Sequence, residues 1–189
     1  MRTLAKPGRA KFVERRSRFL AFAYPVRSEK EIEARLARLR REYHDARHIA
    51  YAWRLQGRER ADDAGEPAGS AGRPILQLLR GEGLEGVLVA VVRYFGGVKL
   101  GVGGLARAYR AAAKGALAAA GVVERVPQVE VRLRLPSQRV GEALAALGRL
   151  GARVRAQGYD GETTLVVALP EDKVEELRRA LSPWAKVEG

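Results

Sequence analysis

A chain of 189 residues, 47% of them hydrophobic, is long enough for one large domain or two small ones with packed cores. Its 35 Lys and Arg against 22 Asp and Glu give a net charge of +13, and it has no cysteine, which excludes disulfides, thiolate zinc sites and cysteine nucleophiles. No apolar run approaches the roughly 18 residues of a membrane span, and Met1 to Gly8 lacks the apolar core of a secretory signal, so a soluble, cytoplasmic protein without a membrane partner is expected.

The charge is lopsided. Residues 1–125 hold 25 basic and 13 acidic residues, a net of +12, whereas residues 126–189 hold 10 and 9, a net of +1. A basic excess confined to one region points to a polyanionic partner there. With 28 arginines to 7 lysines, an arginine-rich composition as such is the other source of the excess.

In chain order, two basic amphiphilic strands are predicted near 10–16 and 18–25. Ser28 reads as a helix N-cap with Glu31 completing a capping box, and Ile32, Leu36, Leu39 and Tyr43 follow at helical spacing. Residues 47–55 alternate, with Ile49, Tyr51, Trp53 and Leu55 on one face and His48, Ala50, Ala52 and Arg54 on the other, which predicts a half-buried antiparallel strand and an open face around His48. A loop over 57–69 leads to Ser70, the expected cap of a short helix carrying Ile75, Leu78 and Leu79. Val87 to Phe95 is an apolar run suited to a central strand. A loop over 96–104 then precedes an alanine-rich helix ending near Gly121.

Val126-Pro127-Gln128 marks a boundary, so the domains are 1–125 and 126–189. The second domain reads as a strand (129–135), a helix with Val140, Leu144 and Leu147 inward, strands at 152–158 and 162–169, a helix at 171–182 and a short strand near 184–188. This β-α-β-β-α-β order is ferredoxin-like.

Two segments combine glycine with more charge than turns require: Asp62-Asp63-Ala64-Gly65-Glu66-Pro67-Ala68-Gly69-Ser70-Ala71-Gly72-Arg73-Pro74, and Arg93-Tyr94-Phe95-Gly96-Gly97-Val98-Lys99-Leu100-Gly101-Val102-Gly103-Gly104-Leu105-Ala106-Arg107-Ala108-Tyr109. Gly101, Gly103 and Gly104 follow a buried strand and open a helix, so their backbone N–H groups are placed either to cradle a phosphate or simply to make a tight turn. Lys99 adds a cation, and Arg107 lies one turn into the helix. Neither a Walker A loop nor a dinucleotide fingerprint is present in its proper context. Arg15, Arg16, Arg54 and Arg93 extend the candidate anion-binding set, with Arg18, Arg47 and Arg110 on the same basic face and Tyr94 and Tyr109 as candidates for stacking on bases, although Tyr94 extends the buried strand and is expected in the core. Asp62, Asp63 and Glu66 suit helix capping or pairing with Arg93 or Arg107 better than a Mg²⁺ site. Two histidines without cysteine argue against zinc, and no serine sits in a nucleophile elbow. No catalytic residue, metal or cofactor is therefore expected.

The two segments together resemble the signature of the YigZ/IMPACT family. The first is similar to its Asp-Asp-Gly-Glu-Pro motif, with Ala64 before Gly65. The second is similar to its Arg-Tyr-Phe-Gly-Gly-Lys-Leu-Gly-Gly-Gly-Leu-Arg-Ala-Tyr motif. His48, Asp62, Asp63, Gly65, Glu66, Pro67, Gly96 and Gly97 are carried as motif or structural positions on that basis. The resemblance implies an α+β protein, with an N-terminal domain like the second domain of ribosomal protein S5 followed by the ferredoxin-like domain. That pairing also resembles the last two domains of translocating elongation factors. Eukaryotic relatives regulate translation through a protein partner, using an additional domain absent from this sequence, so that partner role is not carried over. The expectation is a non-enzymatic RNA- or ribosome-associated protein with a translation-linked regulatory role. A nucleotide- or phosphate-binding protein, or an enzyme using loops 62–74 and 96–104, is the alternative, and a further protein partner is compatible with either.

Overall fold

The computed structural model describes all residues, Met1–Gly189, and has an α+β architecture of five helices and three sheets. The chain divides into two compact units, Met1–Arg125 and Val126–Gly189.

The first unit is built on a five-stranded antiparallel sheet of β2 (Gly8–Glu14), β3 (Ser17–Pro25), β4 (His48–Leu55), β5 (Arg58–Asp62) and β6 (Val87–Tyr94), in the order β2-β3-β6-β4-β5. Helix α1 (Glu29–Glu42) covers one face, where Ile32, Leu36 and Leu39 pack against Tyr51, Trp53, Leu55 and Leu88. Helices α2 (Gly72–Gly81) and α3 (Gly101–Ala120) cover the other, over Phe19, Ala21, Ala23, Ala50, Ala52, Val89 and Val91. β4 is therefore not half-buried. Its alanines look like a thin outer face in the sequence, but small side chains are what lets helices approach a sheet closely, and both Ala50 and Ala52 are fully buried. His48 consequently lies at the edge of a covered face rather than on an open one.

Three strands escaped the sequence pattern. β5 lies within the expected loop at 57–69. It is an edge strand carrying Arg-Glu-Arg, exposed on both faces, and so has no apolar alternation to betray it. β1 (Arg2–Leu4) and β7 (Val122–Glu124) form a separate two-stranded sheet joining the two ends of the unit, each too short to show a period. The helix α1 cap holds as Ser28 Oγ accepting from Glu31 N–H (3.1 Å), but the Glu31 carboxylate accepts from Arg27 N–H (3.0 Å) instead of closing a box on Ser28.

The second unit contains β8 (Gln128–Leu135), α4 (Val140–Arg149), β9 (Arg153–Asp160), β10 (Glu162–Pro170), α5 (Val174–Leu181) and β11 (Lys186–Glu188), with an antiparallel sheet in the order β11-β8-β10-β9. Val131, Leu133, Leu135, Leu165, Val167 and Leu169 face Ala143, Ala146, Leu147, Leu177 and Leu181. Leu144, expected inward, is exposed: the buried stripe of α4 runs through Ala143, Ala146 and Leu147. No helix in the chain is long and apolar enough to cross a membrane.

Candidate functional site: a cleft between two glycine-rich segments

Segment 62–74 is held by its own carboxylates. Ala64 N–H donates to Asp62 Oδ1 (2.8 Å). Asp63 accepts from Gly69 N–H (2.9 Å) on one oxygen and from Ala71 (3.1 Å) and Gly72 (2.9 Å) N–H on the other. Asp63 thus satisfies the first N–H groups of α2, a role the sequence pattern assigned to Ser70. The Ser70 hydroxyl instead donates back to the Pro67 carbonyl. Burial pushes the Asp63 carboxyl up, but hydrogen bonds from Gly69, Gly72, Ala71 and Arg73 outweigh it and hold the group below its ordinary value.

Glu66 is buried, its side chain only 3% exposed. It accepts from Arg93 Nη1 on both oxygens (2.7 and 3.0 Å) and from the Tyr109 hydroxyl (2.8 Å). Its partner is therefore Arg93 and not Arg107. Burial, followed by the Glu66 charge, pushes the Tyr109 hydroxyl far up, so it remains a donor. Tyr109 is fully buried against Phe19 and has no face to offer a base, contrary to expectation. Arg93 is buried too and belongs to this internal network rather than to a basic surface; its guanidinium lies 5.8 Å from the Phe19 ring and 5.6 Å from that of Phe95. The carboxylates of Asp62, Asp63 and Glu66 serve three separate sets of donors and do not converge on a common point.

His48 comes from the start of β4. Its Nδ1 lies 2.7 Å from the Ala64 carbonyl oxygen. A carbonyl only accepts, so Nδ1 carries a proton, and of the two neutral tautomers the contact selects the one in which Nε2 is the acceptor. Nε2 stands 3.8 Å from Glu66 Oε1, beyond hydrogen-bond reach. Ala64 has φ +49 and Gly65 φ +82, and this left-handed pair turns the Ala64 carbonyl toward the ring.

Segment 96–104 is arranged otherwise. Gly96 is pressed on the turn between β2 and β3: a Cβ there would lie 2.1 Å from the Arg16 carbonyl carbon, and Gly96 N–H donates to the buried Ser17 hydroxyl (3.3 Å). Beyond it, Gly97, Val98 and Lys99 are exposed. Helix α3 begins at Gly101 rather than near 104, with φ +73 at Gly101, no side-chain cap and no acidic residue in the first turn.

The two segments enclose a cleft of about 830 Å³, lined by Asp45, Arg47, His48, Glu66, Pro67, Arg93, Tyr94, Phe95, Lys99, Gly101 and the apolar Leu100, Val102 and Leu105. Phe95 is 59% exposed. Tyr94, expected in the core, is half-buried at the end of β6, where it donates to Asp45 Oδ1 (2.7 Å) and is pushed up to about 12, first by burial and then by that bond. A second cavity of about 420 Å³ is lined by Arg40, Tyr43, His44, Arg47, Ile49, Tyr51 and Asp62, so Arg47 lines both.

The remaining candidates lie elsewhere. Arg15 and Arg16 are exposed in the left-handed turn between β2 and β3. Arg54 is engaged by Leu84 O (3.0 Å), Glu59 (3.4 Å) and Glu85 (3.2 Å). Gly103 and Gly104 lie in the first turn of α3 but are not part of the cleft lining, and Arg107 Nη1 lies 3.3 Å from where a Gly103 Cβ would stand. Asp45 and the exposed Phe95 were missed as site residues. Only Phe95 left a signal: an aromatic just past the end of a buried run, immediately before two glycines.

The Impact N-terminal domain model matches residues 15–117, which include His48 and both segments. This chain belongs to the IMPACT family. It is 32% identical over 177 residues to the IMPACT family member YigZ of Escherichia coli (strain K12), covering 91% of this chain and 87% of that protein. It is also 50% identical over 126 residues to an IMPACT family member of Thermus thermophilus, covering 67% of this chain and 69% of that one. A crystal structure described only as that of a hypothetical protein superposes with a TM-score of 0.75 at 29% identity, covering 100% of this chain and 96% of that one. The domain-model match thus spans the cleft and leaves the second unit outside it, whereas the similarity to YigZ extends into the second unit.

Proposed function

We propose that this IMPACT family protein associates with RNA, free or in the ribosome, in a translation-linked regulatory role, and that the cleft of its first unit holds the strand. The observation that carries the reading is the joining of the two motif segments into one concavity. That concavity offers exposed Lys99 and Arg47, the uncapped start of α3 and a solvent-facing aromatic. Phosphates suit the cations and the free helix N–H groups, and an exposed ring stacks on any base. Arg47 lining both cavities suits a ligand longer than one nucleotide. The +12 charge of residues 1–125 draws such a polyanion to this unit.

Two fold assignments accompany the proposal. The first unit is taken as like the second domain of ribosomal protein S5. The second is taken as ferredoxin-like, supported by its β-α-β-β-α-β order and its strand order β11-β8-β10-β9.

The test is binding of a labelled single-stranded RNA to the full chain at several salt concentrations. Log affinity is expected to fall linearly with log salt, by about 0.7 per phosphate contacted. The Arg47→Ala/Lys99→Ala double variant is expected to bind more weakly with a shallower slope and to cosediment less with ribosomal fractions. Absent binding, or binding indifferent to salt, would overturn the reading. A second reading, a pocket for a free nucleoside phosphate, draws on the concave shape of the cleft. A mononucleotide that binds as tightly as an oligonucleotide would favour it.

A further inference from the structure

Resting on that RNA reading, we infer that His48 Nε2 accepts a hydrogen bond from a ribose 2′-hydroxyl, making the cleft a site for ribonucleotides in preference to deoxyribonucleotides.

The argument starts from the acceptors that the cleft presents. The Glu66 oxygens are occupied by Arg93 and Tyr109, and Asp45 Oδ1 by Tyr94. These carboxylate oxygens are thus already spent on donors from the protein itself. His48 Nε2 is different: with Nδ1–H committed to the Ala64 carbonyl at 2.7 Å, the tautomer so selected offers Nε2 as an acceptor without charge, on a side chain that is 24% exposed. Such an acceptor takes a hydroxyl donor beside a phosphate without electrostatic penalty.

The orientation of the ring is built in. Ala64 keeps φ +49, a conformation that residues with a Cβ rarely adopt, and its carbonyl is the one that fixes the imidazole. Backbone N–H bonds accepted by Asp62 and Asp63 hold the turn that presents it. The other parts of a nucleotide have counterparts in the same cleft: exposed Lys99 and the opening turn of α3 for phosphate, and Phe95 for the base. A base stack and a phosphate cradle do not distinguish RNA from DNA. The 2′-hydroxyl does, and His48 is the residue placed to read it.

The experiment measures binding of the full chain to short labelled oligouridylates of one length in ribo, 2′-deoxy and 2′-O-methyl form. The ribo form is expected to bind about five-fold more tightly, the worth of one net hydrogen bond. The 2′-O-methyl form should fall with the deoxy form, because it has no proton to donate. His48→Leu should bring all three to one affinity, His48→Gln should retain part of the preference through its amide oxygen, and Lys99→Ala should weaken all three alike. Equal affinities for wild type, or an undiminished ribo preference in folded His48→Leu, would overturn the inference while leaving RNA binding intact. If His48→Leu does not fold, the three oligonucleotides on wild type and His48→Gln decide the matter. Failure of every oligonucleotide to bind at low salt would remove the RNA reading itself, and this inference with it.

Discussion

Segments 62–74 and 96–104 each mix glycine with charge and each lead into a helix, yet their polar groups end in different states. In the first, every carboxylate is occupied: Asp62 by Ala64 N–H, Asp63 by the start of α2, and Glu66 by Arg93 and Tyr109. In the second, Lys99 is exposed, and α3 starts with neither a side-chain cap nor an acidic residue. Motif residues alike in composition thus divide into those that hold the site together and those that face its occupant. The comparison predicts that damage to the first segment is read in stability and damage to the second in binding.

The largest effect is expected at Glu66. Glu66→Ala leaves Arg93 buried without its counter-charge, and removing one member of a buried pair typically costs about 3–5 kcal/mol. Urea melts of the variant measure this. Replacing both residues together, as Glu66→Leu/Arg93→Met, should recover much of the loss, because no orphaned charge remains. A Glu66→Ala variant as stable as wild type would erase the distinction between the segments.

The next effect falls inside the second segment and sharpens the comparison. Gly96 has no room for a methyl group against the Arg16 and Ser17 backbone, so Gly96→Ala is expected to cost about 1–3 kcal/mol, as overpacking does. Gly97, with nothing within 4 Å of its would-be Cβ, has φ +90 and is strained only by its backbone. The boundary between structural and ligand-facing residues is thus expected just after Gly96, and thermal melts of the two alanine variants locate it.

Asp63→Ala removes the cap of α2 and should cost about 1–2 kcal/mol. Because the folded carboxyl lies below its ordinary value of 3.8, Asp63 contributes stability that is present above that value and lost as pH falls through the lower folded one. Melts at falling pH should show wild type converging on Asp63→Ala in strong acid. Parallel curves would mean that the ionised carboxylate is not what the helix start uses.

What the sequence made legible follows the same division. Helix α1 with its Ser28 cap and the central strand β6 were visible because burial imposes a helical period on the one and an unbroken apolar run on the other. The pairing of the two motif segments was visible in their charge and glycine content. Strand β5 was not, because an exposed edge needs no apolar period. Capping by one of the three carboxylates was legible, but that Asp63 is the one was not, because its bonds reach eight and nine residues along the chain to Ala71 and Gly72. The role of His48 was hidden because alanines on its face of β4 resemble an open surface until α2 and α3 are packed over them. Arg93 was legible as one of two partners for Glu66, but only its buried place near the end of β6 decides between it and Arg107.

The smallest stability effect, and the one that tests the ligand-facing half, belongs to Lys99. Its side chain makes no hydrogen bond or ion pair with the rest of the chain and is exposed at the cleft. Lys99→Ala should therefore leave unfolding free energy within about 0.5 kcal/mol of wild type, as surface substitutions do. RNA affinity should nevertheless fall, and the slope of log affinity against log salt should become shallower by about 0.7, one phosphate contact. Lys99→Arg keeps the charge and should keep the slope. Paired urea melts and salt titrations on the three proteins separate the outcomes. Loss of stability with an unchanged slope would place Lys99 with Glu66 and Asp63 among the residues that build the site, because a cation that neutralises no phosphate releases no counterion when it is removed.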